Sequence, residues 1–271
     1  MSPASNLLNR AVAPLHRGTE LSRGWRLARA AIVVGVGLAI VWLAAAVVRD
    51  RLETFRTTAR YDPPVLAGQT VPGACSGGFY ARHEQTVVLT IVSHCAVPGE
   101  TLRDASARVI GTFGPKAQLT DCPTGRFCAP SDFLTLVLAP DRIPWGHLNL
   151  VDMGAGGYRT IEPGAQPLAC GDIAVGDPIE VDGREHYRTG KVLLIGPYEH
   201  PTDVIFPCMV TTDIGTALGD SGGAVLDAGR PAGVISRDIA GHLSFTPLAE
   251  GLENLGLVLC TTPNCDLIAP G

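Results

Sequence analysis

An uncharged, almost wholly apolar run from Ala30 to Val48 divides this chain, and all eight of its cysteines fall after that run. At a helical rise of about 1.5 Å per residue the run reaches roughly 28 Å, close to the thickness of a bilayer's hydrocarbon core. Arg23, Arg26, Arg29, Arg49 and Arg51 bracket it tightly, which argues against a buried helix of a soluble domain. Arg10, Arg17, Arg23, Arg26 and Arg29 precede the run and Arg49, Arg51, Arg56 and Arg60 follow it, so charge alone orients it only weakly. The cysteines decide the orientation. An even set confined to one side of a span suits disulfides in an oxidising compartment, which places the C-terminal part outside the cytoplasm. A signal peptide cleaved near Ala44-Ala45-Ala46 is the competing reading, but the long leader favours a retained, single-pass anchor in the cell membrane. The competing use of the cysteines is zinc. No CxxC pair is present, and ligand spacings of structural zinc sites are not met, so neither a metal nor a cofactor is expected.

This gives a provisional division: a cytoplasmic segment 1–29, a transmembrane helix 30–48, an extracytoplasmic tether 49–72, a folded part 73–257 and a tail 258–271. The tether reading rests on Tyr61-Asp62-Pro63-Pro64, Gly68 and Pro72, which interrupt any sustained period. About 200 residues lie beyond the span, enough for one all-β unit or two small barrels with a buried core. The 32 Gly and 21 Pro of the chain favour short strands joined by turns. Runs rich in Val and Ile predict strands at Thr86–Ser93, Ala107–Phe113, Phe133–Ala139, Ile179–Val181, Lys191–Ile195, Val204–Thr211, Ala224–Leu226, Ala232–Ser236 and His242–Thr246. Glu250–Leu257 is expected to form one short terminal helix. The formal net charge is −5, so no basic surplus is available to neutralise phosphates, and nucleic acid is excluded as a partner.

Three segments carry chemistry. Gly219-Asp220-Ser221-Gly222-Gly223 precedes the apolar run Ala224-Val225-Leu226. A nucleophilic serine needs an exposed hydroxyl on a tight turn and nearby backbone N–H groups for an oxyanion; a Gly-rich β-turn is the bland reading. Thr90-Ile91-Val92-Ser93-His94-Cys95 puts a histidine at the end of an apolar strand beside a cysteine that a disulfide could fix. A general base must come within about 3 Å of its hydroxyl, so rigid placement matters. Ser131-Asp132 opens the apolar run Phe133–Leu138, as a partly buried acid that orients an imidazole would. Asp104, Asp121 and Asp141 compete for that role, but none immediately precedes so long an apolar run.

In this order, His, Asp, Ser, the segments resemble those of the trypsin-like (chymotrypsin-fold) serine peptidases, bacterial members above all. Thr-Ile-Val-Ser-His-Cys ending at Cys95 is similar to the family's TAAHC-like motif, and Gly219–Gly223 matches its GDSGG motif in full. Gly176-Asp177 through Gly190-Lys191-Val192 resembles a stretch of the bacterial second barrel, and Gly233-Val234-Ile235-Ser236 the strand that pairs with substrate backbone. The resemblance covers roughly residues 73–257. It implies two six-stranded antiparallel β-barrels, at about 73–140 and 168–257, with a catalytic triad of Ser221, His94 and Asp132 in the cleft between them. It further implies an oxyanion hole from the amides of Gly219 and Ser221, substrate binding by Gly215, Thr216, Ser236, Arg237 and Asp238, and a polypeptide substrate.

The same resemblance pairs Cys75 with Cys95. Cys122–Cys128 and Cys260–Cys265 are the local choices and Cys170–Cys208 takes the remainder, out of the 105 pairings that eight cysteines permit. There are departures. Arg237 and Asp238 sit where the family often has Trp-Gly, and no Asp stands at the pocket base expected for cleavage after Arg or Lys. Tethering argues against activation by a freed N-terminus inserting near Asp220. The expected activity is therefore that of a membrane-anchored serine endopeptidase; a catalytically silent, protease-like binding module of the cell envelope is the alternative. Oligomeric state is not legible.

Overall fold

A computed structural model describes residues 41–42, 65–71, 75–122, 126–184, 186–261 and 265. The chain divides into two compact units, Met1–Arg51 and Leu52–Gly271. In the first only Val41 and Trp42 are described, both helical and exposed. The rest of the expected anchor, Ala30–Val48, lies outside the described residues. Among those residues no helix is long and apolar enough to cross a membrane.

The second unit is all-β apart from one helix and a few 3₁₀ turns. Its N-terminal half is a six-stranded sheet of β1 (Tyr80–His83), β2 (Thr86–Val92), β3 (Thr101–Arg103), β4 (Val109–Lys116), β5 (Phe133–Leu138) and a late strand described below. Its C-terminal half is built from β6 (Pro178–Gly183), β7 (His186–Glu199), β8 (Val204–Gly215), β9 (Ala224–Asp227), β10 (Arg230–Ile239) and β11 (His242–Pro247). These six run in the order β7-β6-β9-β10-β11-β8, and an antiparallel pairing of β7 with β8 closes them into a barrel. Helix α1 (Leu248–Asn254) follows directly, and then β12 (Val258–Leu259) crosses back to pair with β1 in the first sheet.

All nine runs expected to be strands overlap strands, with Ser93, Ala107, Arg108 and Ala139 falling just outside them. The expectation of two closed barrels is met in the C-terminal half. The N-terminal half has the order β12-β1-β2-β5-β4-β3, and no ladder joins its outer strands among the described residues. The sixth strand of that sheet comes from the stretch read as a tail. Val258 pairs with Arg82 and Leu259 with Ala81, and Cys260 and Cys265 are buried.

The stretch read as a tether is likewise occupied from Val65 onward. Val65, Ala67 and Val71 are buried in the first core, the Val65 amide donates to the Arg142 carbonyl at 2.9 Å, and Thr70–Val71 pairs with Cys75–Ser76. Removing such side chains from water contributes roughly 1.5–3 kcal/mol each for a valine or larger residue, more than the local Gly and Pro punctuation opposes. The helix begins two residues before its expected start, because Pro247 can precede but not continue a helix. It ends before Gly256, which takes a φ of +63°.

Two large apolar cores and a smaller cluster of Ala129, Phe206 and Met209 result among the described residues. Phe79, Leu89, Ile91, Ile110, Phe133 and Leu136 fill the first; Val181, Val210, Val225, Ile235, Leu243 and Phe245 fill the second. All four expected disulfides are present: Cys75–Cys95, Cys122–Cys128, Cys170–Cys208 and Cys260–Cys265. No cysteine is free among the described residues.

Candidate active site

Strand register brings the histidine to the acid. In the β2–β5 ladder Val92 pairs with Phe133, so the residue after one strand faces the residue before the other. The Ser93 amide donates to the Asp132 carbonyl at 2.9 Å, and His94 follows in a 3₁₀ turn, Ser93–Cys95, anchored through Cys95 to Cys75. His94 Nδ1 then lies 3.3 Å from Asp132 Oδ2. The imidazole is about half exposed while the Asp132 side chain is 2% exposed.

Asp132 is surrounded by donors. Ser93 Oγ donates to Oδ1. On Oδ2 converge Ser236 Oγ at 2.6 Å and Arg237 Nη2 at 3.1 Å, together with the imidazole. Burial pushes its carboxyl pKa up, but the hydrogen bonds from His94, Ser236 and Ser93 outweigh burial and hold it at about 2. Asp132 is therefore a buried, permanently charged acid, suited to fixing one imidazole tautomer and stabilising an imidazolium.

Ser236 and Arg237 both reach Asp132 because of a β-bulge. In a regular strand adjacent side chains point to opposite faces. Here the β10–β11 register slips between Ile235, opposite Phe245, and Arg237, opposite Ser244, so one residue is gained on β10 at Ser236.

Ser221 sits on a turn pinned from behind. Asp220 is buried, and its Oδ2 accepts from the Ala217 amide and from Arg188 Nη2, both at 2.6 Å. Arg188 thus supplies a cation to the buried Asp220 carboxylate. In front, the Ser76 amide donates to the Ser221 carbonyl at 2.7 Å, and Ser76 Oγ to the Gly219 carbonyl at 2.9 Å. Gly222 takes a φ of +93°, and a Cβ there would stand 2.0 Å from the Ser76 carbonyl oxygen, so only glycine fits this position. Among the described residues neither the amide of Gly219 nor that of Ser221 has a hydrogen-bond partner.

His94 and Ser221 line one cleft of about 440 Å³, together with Gly219, Thr216, Arg237 and Asp238. No hydrogen bond joins Ser221 Oγ to His94 among the described residues. Thr216 Oγ1 donates to Asp238 Oδ2, linking two walls of the cleft. The other two residues expected to bind substrate, Ser236 and Gly215, are not among those that line this cleft. Ser236 is fully buried and spends its hydroxyl on Asp132. Gly215 lies outside the cleft lining and gives its carbonyl to Arg188. Ser76, Ser93 and Arg188 were not singled out from sequence. Ser93 stood inside the histidine motif, the one available signal; Ser76 and Arg188 depend on contacts remote in the chain.

No family profile matches the sequence, and no curated protein does. Solved structures do. A Nocardiopsis protease matches with a TM-score of 0.56 at 20% identity, covering 73% of this chain and 100% of its own. Protease A of Thermobifida fusca matches at 0.55 and 21%, covering 73% and 99%. A chymotrypsin of Cellulomonas bogoriensis matches at 0.54 and 20%, covering 73% and 100%. At these identities the likeness establishes the fold: the second unit has the chymotrypsin fold of bacterial serine proteases.

Proposed function

We propose that this chain is a serine endopeptidase that hydrolyses peptide bonds of extracytoplasmic polypeptides, held at the cell membrane by Ala30–Val48, with its second unit outside the cytoplasm. The observation that carries the catalytic reading is the Asp132–His94 pair opening on the same cleft as Ser221, whose turn leaves two amides without partners among the described residues. The four disulfides support the extracytoplasmic placement.

The chemistry follows from that arrangement. With Nδ1 facing Asp132, the His94 Nε2 is the basic nitrogen. It takes the Ser221 hydroxyl proton as Oγ bonds to the scissile carbonyl carbon. The resulting oxyanion is met by the Gly219 and Ser221 amides, an interaction of the kind whose single-donor loss costs about 10²–10³-fold in kcat. His94 then protonates the leaving amine, the C–N bond breaks, and water repeats the sequence on the acyl-enzyme. Thr216, Arg237 and Asp238 border the segment of cleft that receives the substrate side chain.

The test is digestion of an unfolded polypeptide by the purified second unit. Cleavage that disappears in Ser221→Ala is the expected result; equal cleavage by both proteins would contradict the reading. For the anchor, a chain lacking residues 1–48 is expected in the soluble fraction. Sedimentation of that fragment with membranes would contradict Ala30–Val48 as the sole attachment.

A further inference from the structure

Arg237 borders the cleft, but its contact with Asp132 is one that the proposed mechanism leaves without a role. Its side chain is 14% exposed and its guanidinium lies over two aromatic rings, with Cζ 5.0 Å from the centroid of Tyr198 and 4.6 Å from that of Phe206. Its Nε donates to Ser236 Oγ at 3.1 Å, and its Nη2 to Asp132 Oδ2 at 3.1 Å. The bulge at Ser236 turns it toward the acid. The same carboxylate oxygen faces His94 Nδ1 at 3.3 Å. A cation and an imidazole therefore share one oxygen.

Resting on the peptidase reading, we propose that Arg237 is a positioning residue: it divides the Asp132 charge with His94, loosens the carboxylate's hold on the imidazolium, and so extends the working range of the site toward acid. Arginine stays protonated throughout the accessible pH range, so it competes for Oδ2 at every pH. The imidazole competes fully only when protonated. A fixed positive charge beside it disfavours that form, and the neutral form is the one that can accept the Ser221 proton. Stacking on Tyr198 and Phe206 keeps the guanidinium in place while the bond to Oδ2 is shared.

Among the described residues, charged and titratable groups come to His94 from several elements. Asp132 precedes β5, Arg237 lies on β10, and His200 follows β7, with its side chain bonded to Thr202 Oγ1 at 2.7 Å. Burial lowers the His200 pKa, and the Arg237 and His94 charges lower it further against a raising contribution from Asp132. That direction favours the neutral form of His200, so Arg237 is the permanent cation here. Asp220 and Asp238 also line the cleft, each with its carboxylate bonded elsewhere.

The test compares the parent with Arg237→Met, which keeps a stem for the aromatic rings, and Arg237→Lys, which keeps the charge. The imidazole titration of His94 is followed by NMR, and the acid limb of kcat/KM is measured alongside. In Arg237→Met both are expected to move up by about one pH unit, and in Arg237→Lys to stay close to the parent. An unchanged His94 titration in a folded Arg237→Met protein overturns the proposal. Should that variant not fold, the Arg237 Nε–H resonance of the parent gives the answer: it must shift as His94 titrates, and a flat resonance overturns the proposal. The NMR arms require no turnover. Failure of the peptidase reading, seen as absent cleavage by the parent, is therefore distinguishable from failure of this inference.

Discussion

Two aspartates are buried close to the Ser221 turn and meet opposite electrostatic fates. Asp132 accepts from Ser93, Ser236, Arg237 and His94 and is held at about 2. Asp182, on β6, is 5% exposed, and its Oδ1 has no partner among the described residues. Burial, with the charges of Asp152 and Asp220, pushes its pKa up to about 7 against the pull of Arg188. Both side chains are buried; they differ in the donors supplied. A buried carboxylate stays charged where the fold brings hydrogen-bond donors to both oxygens, and takes up a proton where it does not. The first arrangement suits an acid that must be charged at every working pH. The second makes Asp182 a liability to stability at alkaline pH.

The largest expected effect is on the first side of this contrast. Asp132→Asn removes the charge that fixes the His94 tautomer, and kcat should fall by about 10⁴-fold in steady-state assays. A loss below tenfold would show that the donor-rich pocket is structural only.

Next comes Arg188, which compensates Asp220 as the four donors compensate Asp132. Arg188→Leu leaves a buried carboxylate short of its cation and should destabilise the second unit by about 3 kcal/mol in urea unfolding. An unchanged midpoint would show that Asp220 needs no counter-charge.

For Asp182 the sign runs the other way. Its native pKa is raised, so the unfolded chain loses this proton first. Its contribution is full below about pH 4 and is lost as pH rises toward 7, with roughly 2–4 kcal/mol at stake. Asp182→Asn should therefore stabilise the protein at pH 8 and leave it little changed at pH 4, as thermal unfolding at the two pH values would reveal. For Asp132, whose pKa is lowered, stability is present above about pH 4 and is lost as pH falls toward 2. Removing one donor with Ser236→Ala should cost about 1 kcal/mol at pH 7 and move the acid-unfolding midpoint upward.

The sequence exposed the strands whose apolar runs are long enough to show a pattern, and the three chemical segments. It did not expose Thr101–Arg103, Leu150–Asp152, Tyr158–Thr160 or Val258–Leu259, which are too short to carry a period and exist because a remote partner pairs with them. Val65–Val71 read as linker for a similar reason: local Gly and Pro were visible, the core receiving Val65 was not. In the site, Asp132 and His94 were legible as strand-end residues. The donors around Asp132 were not, because register places Ser93 opposite it and a single bulge turns both Ser236 and Arg237 toward it.

The central claim is that one serine is made nucleophilic by its surroundings. Exposure of the second unit to a fluorophosphonate, followed by intact-mass and peptide-mass analysis, tests it directly. A single adduct on Ser221, lost in His94→Ala, is the result expected. No adduct on a folded protein, or one that forms equally well without His94, would contradict it.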